Sequence, residues 1–573
     1  MFKKHKDLIK YLFKPFTKNF ILLSTLMLMI ALLEVAIPFA TKIAIDRFIT
    51  PKTTEGLFEF ALVYGSAILL FGSLVILFIV VAGRLESEIA YRLRKESFDR
   101  MQDYQFVYFD EEGVGKVLSK ITSDIGKLSD IISWGLVDLV WASTFMTLIL
   151  GVMFVMNWRL AAIVAVIVPI LAWVSSYFQK KIFFKQKDVR RLNSDVMRLI
   201  NEGITGAITS KTLVTESKNA SEFRAVTEEM QNRSIDSAVL SSIYMPLALN
   251  IGSLGVAMVI VAGGVYLDRG IVSLGTLILF INYATMFFDP ITQVARVISD
   301  IQAAKAAAER VLTHLSQEKS LHVEVPVEDF EIQGSIEFDH VKFAYDEREV
   351  VLDDFSLKVE AGQKIALVGE TGSGKSTIVN LICKFYKPSE GTMFLDGVDY
   401  GDIRRELVQS NLGYVLQTPQ LFSGSIRENI RYGRLEATDA EVEEAADLAQ
   451  IHDFIQKLDQ GYDTMVGESG SKLSSGEKQL ISIARAILAN PKIFVLDEAT
   501  SSIDVNTERK IQKAIENVLA HRTSFIIAHR LSTVKFVDKI ILIDHGRIKE
   551  MGSHKELMAK QGHYYHLYMN QFA

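Results

Sequence analysis

Cysteine and proline are both scarce in this 573-residue chain, which has one cysteine, Cys383, and ten prolines. A single cysteine excludes an internal disulfide framework and any zinc or iron–sulfur site built from several cysteines. Low proline content and a net charge of only −6 are not typical of disordered or collagen-like chains. The weak net charge also gives no indication of nucleic acid as a partner.

Apolar residues are abundant, at 49% of the chain, and they concentrate in the first 300 residues, whereas charged residues still make up 23%. This division predicts a membrane-spanning part joined to a soluble part. Six stretches are long enough to cross a hydrocarbon core as helices, which takes about 20 residues each. The predicted spans are about 20–43, 58–83, 134–156, 160–178, 241–266 and 271–293. The first apolar run exceeds the about 7–15 residues of a signal-peptide core, so we expect it to stay in the membrane.

Lysine and arginine are distributed unequally between the loops. Six lysines precede the first span, and the segments 84–133 and 180–240 carry eight and eleven Lys or Arg. The opposite loops carry only Arg47, Lys52, Arg159 and Arg269. Because basic loops stay on the cytoplasmic side, the N-terminus is expected there, and six spans return the C-terminus to the same side. The prediction is a multi-pass protein of the cytoplasmic membrane.

The predicted architecture is an α-helical six-span membrane domain at 1–315, a charged linker at 316–334 and an α/β domain at 335–573. In the two long cytoplasmic loops, helical spacing of apolar residues predicts that the membrane helices extend into the cytoplasm and turn at about 109–125 and 201–216. After the linker, short apolar runs alternate with helical stretches, which predicts a largely parallel sheet. The predicted strands are SIEFDHVKFAY, KIALVG, LGYVLQ, KIFVLDE, TSFIIAH and KIILIDHG.

Three polar residues fall inside predicted spans: Glu34, Asn250 and Asn282. Such groups are costly in a bilayer and usually face the bundle interior or a water-filled cavity. They could contact a substrate or proton in a central cavity, or they could make interhelical hydrogen bonds. The sequence leaves both interpretations open.

The segment KIALVGETGSGKSTIVNLICKFY follows an apolar strand, opens a helix and fits the P-loop pattern G-x-x-x-x-G-K-[ST]. Glycines allow backbone N–H groups to wrap phosphate oxygens, and the helix N-terminus adds positive dipole character. Lys375 is expected to reach the β- and γ-phosphates, and the Ser376 hydroxyl to coordinate Mg²⁺. The predicted nucleotide-binding residues of the loop are Gly369, Glu370, Thr371, Gly372, Ser373, Gly374, Lys375, Ser376 and Thr377.

Two acidic residues follow the apolar run of KIFVLDE. Asp497 emerges where a buried strand ends, which is where ligands bind to open α/β sheets, so it is expected to hold Mg²⁺, through water. Glu498 follows and is the candidate general base that activates the attacking water. Together with the P-loop, these residues predict a nucleoside triphosphatase.

The stretch SKLSSGEKQLISIARAIL contains LSSGE at 473–477, and here the chain resembles the ATP-binding cassette (ABC) family, whose signature is usually written LSGGQ. The resemblance implies that Ser474 and Gly476 face the γ-phosphate bound by another subunit. Ser475 and Glu477 depart from the usual signature. Glu477 brings a carboxylate near the phosphate site, which would weaken or tune it.

The same resemblance implies three further site residues. Gln417, in YVLQTPQLFSGSIRENI, matches the glutamine that contacts Mg²⁺ and links its site to the membrane domain. His529 matches the histidine that contacts the γ-phosphate, and Tyr345 matches the aromatic residue that stacks on adenine. The implied catalytic set is Glu498, His529 and Gln417.

The resemblance covers essentially the whole chain, since TMVGESG and AAKAAAERVL are also similar to exporter elements. It implies a half-transporter of the multidrug/lipid exporter type that uses ATP and Mg²⁺, with the two loop tips docking on cassettes. The implied function is ATP-driven export of a hydrophobic or amphipathic drug or lipid by an alternating-access dimer, and the implied partners are membrane lipids and this small substrate. Each site needs the P-loop of one cassette and the signature of another, so the main partner is a second half-transporter. IDRFITPKTTEG and the P-loop sequence favour a heterodimer over a homodimer.

Two other classes remain as alternatives. One is an ATP-binding membrane subunit with a regulatory or sensing output, against which the presence of Glu498 argues. The other is an importer, which usually keeps its membrane and cassette parts on separate chains.

Overall fold

The computed structural model describes residues 14–104, 106–316, 330–346, 349–497, 505–520, 522–528, 534 and 536–572. The chain forms two compact units. The helical unit contains the described residues up to Asp103 and from Glu112 to Ser316, and the sheet unit contains Tyr104–Glu111 and the described residues from 330 onward. The predicted fold class, a helical membrane part followed by an α/β nucleotide-binding part, is confirmed.

Long helices build the helical unit. In chain order the helices are α1 (Thr17–Ala44), α2 (Leu57–Gln102), α3 (Phe106–Glu112, mostly in the sheet unit), α4 (Val114–Met156), α5 (Trp158–Thr205), α6 (Ala207–Thr212), α7 (Glu216–Asp268), α8 (Leu274–Met286) and α9 (Phe288–Ser316). A π-helical turn, Ile45–Ile49, extends α1, and α4 contains two π-helical turns. Among the described residues, six helical stretches are long and apolar enough to cross a membrane.

Several helices run well beyond the predicted spans. The stretch predicted at 160–178 lies inside α5, which has 48 residues, and that predicted at 241–266 lies inside α7, which has 53. The stretch predicted at 271–293 is not one helix, because α8 ends at Met286 and α9 starts at Phe288. Pro290 accounts for the break, since proline lacks an N–H group and is tolerated in the first turn of a helix.

The loop tips are shorter than predicted. Of the stretch 109–125, residues from Val114 onward already belong to α4, and the turn lies at Gly113, whose φ is +71°. In the second tip, 201–216, the short helix α6 (Ala207–Thr212) joins α5 to α7.

Two of the polar residues predicted inside spans make hydrogen bonds within the helical unit, one between helices and one within a helix. The Trp141 indole N–H donates to Glu34 at 3.0 Å, so α4 and α1 are joined there. The Asn250 amide donates to the carbonyl of Pro246, one turn earlier in α7, at 2.8 Å. Of the two interpretations left open for Glu34, this contact favours the interhelical hydrogen bond.

Asp46 connects the end of α1 to the start of α8. Its carboxylate accepts hydrogen bonds from the Ser273 hydroxyl at 2.6 Å and from the Gly275 N–H at 2.9 Å, and it pairs with Lys42 at 2.9 Å. A side chain at position 275 would place its Cβ 2.5 Å from the Lys42 carbonyl oxygen. Charge-assisted hydrogen bonds therefore hold the two helix ends together, and the absence of a side chain at Gly275 allows their backbones to approach closely.

The sheet unit contains two sheets. In chain order the strands are β1 (Ile336–Ala344), β2 (Val350–Val359), β3 (Lys364–Val368), β4 (Glu390–Leu395), β5 (Val398–Asp399), β6 (Leu412–Val415), β7 (Ile493–Asp497), β8 (Thr523–Ile527), β9 (Lys539–Asp544) and β10 (Arg547–Gly552). One sheet is antiparallel with the order β2-β1-β4-β5, and the other has the order β10-β9-β3-β8-β7-β6. The second sheet is parallel except for β10, which pairs antiparallel to β9.

Helices make up most of the remaining described part of the sheet unit. They are α10 (Lys375–Ile382), α11 (Arg405–Ser410), α12 (Ile426–Arg431), α13 (Asp439–Leu448), α14 (His452–Gln456), α15 (Ser475–Ala489), α16 (Val505–Leu519), α17 (His554–Lys560) and α18 (His563–Phe572). Alternate residues of each central strand enter different cores: in β3, Ile365 and Leu367 face the core shared with the antiparallel sheet, while Ala366 and Val368 face the core shared with α15. Burial on both faces explains why these strands read as continuous apolar runs.

The strand predictions need two corrections. SIEFDHVKFAY was assigned to the largely parallel sheet, but it forms β1 of the separate antiparallel sheet. The prediction also missed β2, β4, β5 and β10. These strands are half-exposed or only two residues long, so they lack the continuous apolar run that marked the buried strands.

Candidate functional site

The parallel strands bring the predicted phosphate-binding elements to one edge of the sheet. Ile527 of β8 lies opposite Leu367 of β3 on one side and opposite Asp497 of β7 on the other. The P-loop follows β3, and Gln417 follows β6, the neighbour of β7. Since carboxyl ends of parallel strands share an edge, the P-loop, Asp497 and Gln417 meet where α/β sheets bind ligands.

The glycines of the P-loop are required by its backbone. Gly369 has a φ of +150°, and a Cβ there would lie 2.3 Å from the carbonyl oxygen of Ile543. Gly374, with a φ of +107°, caps α10, and a Cβ there would lie 3.0 Å from Leu352. Any other residue would be strained at both places, so the backbone path of the loop depends on these glycines.

Lys375 lies inside the curve of the loop. Its ammonium donates to the carbonyls of Gly369 at 2.9 Å and Glu370 at 2.6 Å, and it is 3.4 Å from the Ser373 hydroxyl. Burial lowers the pKa of Lys375 below the usual lysine range, and the carboxylate of Asp497 opposes this shift. A partly desolvated ammonium that satisfies itself on backbone carbonyls can exchange these contacts for phosphate oxygens.

The residues near the loop suit a magnesium ion. Ser376, in the first turn of α10, is exposed and offers a hydroxyl oxygen, and Asp497 offers a carboxylate at the end of β7. Mg²⁺ usually takes one or two protein oxygens and completes its shell with phosphate oxygens and water. The donor set therefore fits the ion. Gln417 is exposed and lies beside these residues on the neighbouring strand end.

Tyr345 presents one aromatic surface beside the loop and is about half-exposed. Its hydroxyl is 3.2 Å from the Thr377 hydroxyl and accepts a hydrogen bond from the Asn380 amide at 3.1 Å. Phe343 packs edge-on against its ring, with centroids 4.9 Å apart. A ring held this firmly beside the phosphate loop can stack on a nucleotide base.

The signature residues start α15. Ser474 is the N-cap, and its hydroxyl accepts a hydrogen bond from the Glu477 N–H at 3.3 Å. The Glu477 carboxylate accepts from the Ser474 N–H at 2.8 Å, which completes a capping box. The departure at 477 thus has a structural role: its carboxylate turns back onto the helix start. In the described part of the chain, no hydrogen bond joins residues 474–477 to the P-loop.

Comparison with protein families divides the chain at the same place. The description "ABC transporter transmembrane region" matches residues 20–291, and the description "ABC transporter" matches residues 352–501. The first match covers the spans of the helical unit, and the second begins in β2 and includes the P-loop, Gln417, the signature and Asp497.

Whole-chain relatives extend this result. The chain is 36% identical over 567 residues to YfiC of Bacillus subtilis, an uncharacterized ABC transporter ATP-binding protein, covering 97% of this chain and 92% of the relative. The chain belongs to the ABC transporter family. It is also 38% identical over 481 residues to a fatty acid ABC transporter ATP-binding/permease protein of Mycobacterium tuberculosis, covering 83% of this chain and 75% of that protein.

A solved structure of a bacterial Atm1-family ABC exporter with ATP bound is also similar, with a TM-score of 0.80 and 27% identity over 97% of this chain and 99% of that one. The suspected family, the exporter fold and the enzyme class are therefore confirmed. This ABC transporter is a multi-pass membrane protein whose sheet unit binds ATP and couples ATP hydrolysis to transport.

Two predicted catalytic residues of this ABC transporter, Glu498 and His529, lie outside the described residues. The P-loop, Asp497 and Gln417 gather at the edge of the six-stranded sheet. Tyr345 follows β1 of the antiparallel sheet and contacts Thr377, and Ser474 and Gly476 start α15. The roles assigned to individual residues remain predictions.

Sequence reasoning missed three residues that support the site. Asn380 and Tyr386 hold Tyr345 in place. Arg485 of α15 lies beside the paired rings of Phe422 and Tyr432, and its guanidinium donates to the backbone carbonyls of Gln420 and Asn429, which follow Gln417 in the chain. Position alone offered a signal for Asn380, because it lies one turn beyond Thr377 on the helix that the P-loop opens. Arg485 and Tyr386 lie within the quoted segments SKLSSGEKQLISIARAIL and KIALVGETGSGKSTIVNLICKFY, but at positions to which no role was assigned.

Proposed function

We propose that this ABC transporter is one half of an exporter that uses ATP hydrolysis to move a hydrophobic or amphipathic drug or lipid across the cytoplasmic membrane. The observation that carries this proposal is the joining, in one chain, of six apolar helical stretches to a P-loop site with its acidic strand end. The fatty acid named for the relative from M. tuberculosis is amphipathic, which supports this substrate class.

The proposed working form is a dimer of half-transporters. The described part of one chain has no bond between its signature and its own P-loop, which supports a second half-transporter as the source of the opposing signature. The sequence features that favour a heterodimer still favour it over a homodimer. ATP between the two cassettes would stabilise the closed pair and shift the membrane units between inward- and outward-facing states.

Each proposed site residue has a distinct task in hydrolysis. Lys375 would leave the carbonyls of Gly369 and Glu370 and bind the β- and γ-phosphates. Ser376, Asp497 and Gln417 would hold Mg²⁺, which supplies charge neutralisation for the phosphates. Glu498 would orient and deprotonate the attacking water, and His529 would contact the γ-phosphate.

The loop tips are the proposed mechanical links. Near α6, four apolar side chains are more than 60% exposed, namely Ile204, Ile208, Leu213 and Val214. Clustered exposed apolar groups at a polar helix tip indicate a protein-binding surface, and we propose the partner's cassette as its binding partner. Just before the other tip, Phe106 belongs to the sheet unit and stacks on Phe385 of the same unit, with centroids 4.9 Å apart.

The first test is ATP hydrolysis by the purified chain in lipid vesicles. Lys375→Ala is expected to lower turnover at least about 100-fold because the ammonium that binds the phosphates is lost. Glu498→Gln is expected to bind ATP, hydrolyse it slowly and accumulate a closed dimer. Lys560→Ala, which changes an exposed lysine outside every nucleotide motif, is the matched control and should retain turnover.

Unchanged turnover in Lys375→Ala would contradict the P-loop assignment. Turnover by wild type with no ATP-dependent movement of fluorescent fatty acid, lipid or drug probes would favour the regulatory alternative. A folded wild-type chain that binds ATP and hydrolyses almost none would indicate a missing heterodimeric partner.

A further inference from the structure

An aromatic cluster connects the nucleotide base position to the segment Tyr104–Glu111, which interrupts the helical unit and belongs to the sheet unit. Its members are Phe106, Phe343, Tyr345, Phe385 and Tyr386. Neighbouring rings lie 4.9 to 6.3 Å apart between centroids, within the range of favourable aromatic contact. The cluster is continuous from Phe106 to Tyr345.

Tyr386 is the central member. Its ring meets Tyr345 at 5.1 Å with an interplanar angle of 88°, and it meets Phe343 at 5.5 Å. Tyr345 is thus fixed along one edge by Tyr386 and at its hydroxyl by Thr377 and Asn380. Stacking on a base depends on the plane of Tyr345, and Tyr386 is one of the rings that sets this plane.

The hydroxyl of Tyr386 points to the other end of the cluster, where it donates to the carboxylate of Asp110. Asp110 lies in α3, on the same short helix as Phe106, which stacks on Phe385 and meets Tyr386 edge-on at 6.3 Å. A single side chain therefore touches both the segment 104–111 and the base-stacking ring.

We infer that Tyr386 is a positioning residue for the nucleotide base and that Asp110 acts through it. Seating of segment 104–111 fixes Tyr386, and Tyr386 fixes the plane of Tyr345. This route ends at the base and not at the γ-phosphate, so it is distinct from the proposed link through Gln417. The inference rests on the proposed function only in taking Tyr345 as the ring that stacks on adenine.

The first test compares binding of ATP and CTP to the full chain in lipid, because a pyrimidine offers less surface for stacking. Tyr386→Ala is expected to weaken ATP binding about 3- to 10-fold, as expected for loss of an aromatic contact, and to weaken CTP binding less than about 2-fold. Turnover at saturating ATP should stay near the wild-type value. Equal weakening of ATP and CTP, or a loss of turnover at saturation, would mean that Tyr386 only stabilises the fold.

The second test isolates the Asp110 contact. Asp110→Ala is expected to weaken ATP binding about 2- to 3-fold in the wild-type background and to have no effect in a Tyr386→Phe background, where the hydroxyl is gone. Tyr386→Phe alone should match Asp110→Ala. If the two changes act additively, Asp110 does not act through Tyr386 and the inference is wrong.

A matched control is Tyr462→Phe. The Tyr462 hydroxyl bonds to His452 at 2.7 Å, so this change also removes a hydroxyl contact within the sheet unit. It should leave the ratio of ATP to CTP affinity unchanged, and a changed ratio would show that the readout follows general stability. Absence of any ATP binding by wild type would instead refute the proposed function.

Discussion

Ser474 illustrates how one residue serves both a helix and a site. It is the N-cap of α15 and also the signature residue proposed to face phosphate. Ser553 caps α17 with the same reciprocal arrangement, paired with Glu556, but it lies outside every nucleotide motif. Comparing variants of the two serines therefore distinguishes the contribution of an N-cap to stability from the contribution of Ser474 to ATP hydrolysis.

Replacing each serine by alanine should destabilise its helix by about 0.5–2 kcal/mol, because a backbone N–H loses its acceptor. Only Ser474→Ala is expected to slow ATP hydrolysis as well, by about 10-fold or more. Thermal unfolding and steady-state hydrolysis of both variants check this prediction. Equal hydrolysis rates in the two variants would show that Ser474 acts only as a cap.

Lys384 provides a pH-dependent prediction. Its ammonium donates to the carbonyls of Tyr400 and Ile403, and burial, with Lys387 nearby, lowers the pKa of Lys384 from 10.5 to about 8. The unfolded chain therefore binds more protons than the folded chain between these two pKa values. The contribution of Lys384 to stability must rise with pH across that window.

The stability of wild type relative to Lys384→Met should increase between about pH 8 and about pH 10.5. Gln409→Met is the control. Gln409 and Lys384 line the same cavity of the sheet unit, but Gln409 is neutral, so the effect of this change should not vary with pH. Thermal unfolding of the full-length variants at several pH values makes the comparison. A Lys384→Met difference that stays constant with pH would contradict the prediction.

Much of the site at residue scale could be predicted because its chemistry is written in contiguous motifs. The P-loop and Asp497 follow apolar strands, and strand order places them together. Asn380 was signalled only by its place one turn beyond Thr377, and Tyr386 could not be found in this way. The role of Tyr386 depends on which ring edges meet in the folded sheet unit, and no local pattern in the sequence records this.

At the scale of single elements, the sequence predicted where apolar helices lie better than where they stop. In α5 and α7 the helix continues without a break from the apolar span into a polar extension. Hydropathy identified only the apolar span, so it did not show where either helix ends. The break between α8 and α9 was visible only as Pro290. Half-exposed strands such as β2 and β10 were missed because their apolar residues alternate with charged residues, a composition that also occurs in turns.

The joint between α1 and α8 gives an element-scale prediction. Asp46→Ala removes the acceptor for Ser273 and for the Gly275 N–H and should lower stability by about 1–3 kcal/mol, typical of a lost charge-assisted hydrogen bond. Asp268→Ala, at the other end of the loop that precedes α8, is the control with an expected small effect. Thermal unfolding in detergent measures both, and equal effects would mean that the joint contributes nothing specific.

At the scale of the whole molecule, the basic loops predict which segments face the cytoplasm, and labelling of introduced cysteines tests this orientation. The native Cys383 should give little background, because it is fully buried and burial raises the pKa of its thiol. Ile271→Cys is expected to react with an impermeant maleimide in intact cells. Lys218→Cys should react only after the cells are permeabilised.

The reverse labelling pattern would overturn the predicted orientation. The native chain provides the background control, and Ile271 and Lys218 are both exposed. The same two cysteine variants, labelled in vesicles with and without ATP, would also report whether ATP changes the accessibility of each position to the maleimide.

The placement of the aromatic residues has a spectroscopic consequence. All four tryptophans of the chain belong to the helical unit: Trp134, Trp141, Trp158 and Trp173. The sheet unit, which binds ATP, has none, so nucleotide cannot quench a neighbouring indole there. Two of these indoles donate to carboxylates, Trp141 to Glu34 and Trp134 to Glu86, so their emission is sensitive to helix movement. In a sample of this chain alone, intrinsic fluorescence is therefore a built-in reporter, and an emission change that follows ATP addition records a signal that has reached the helical unit.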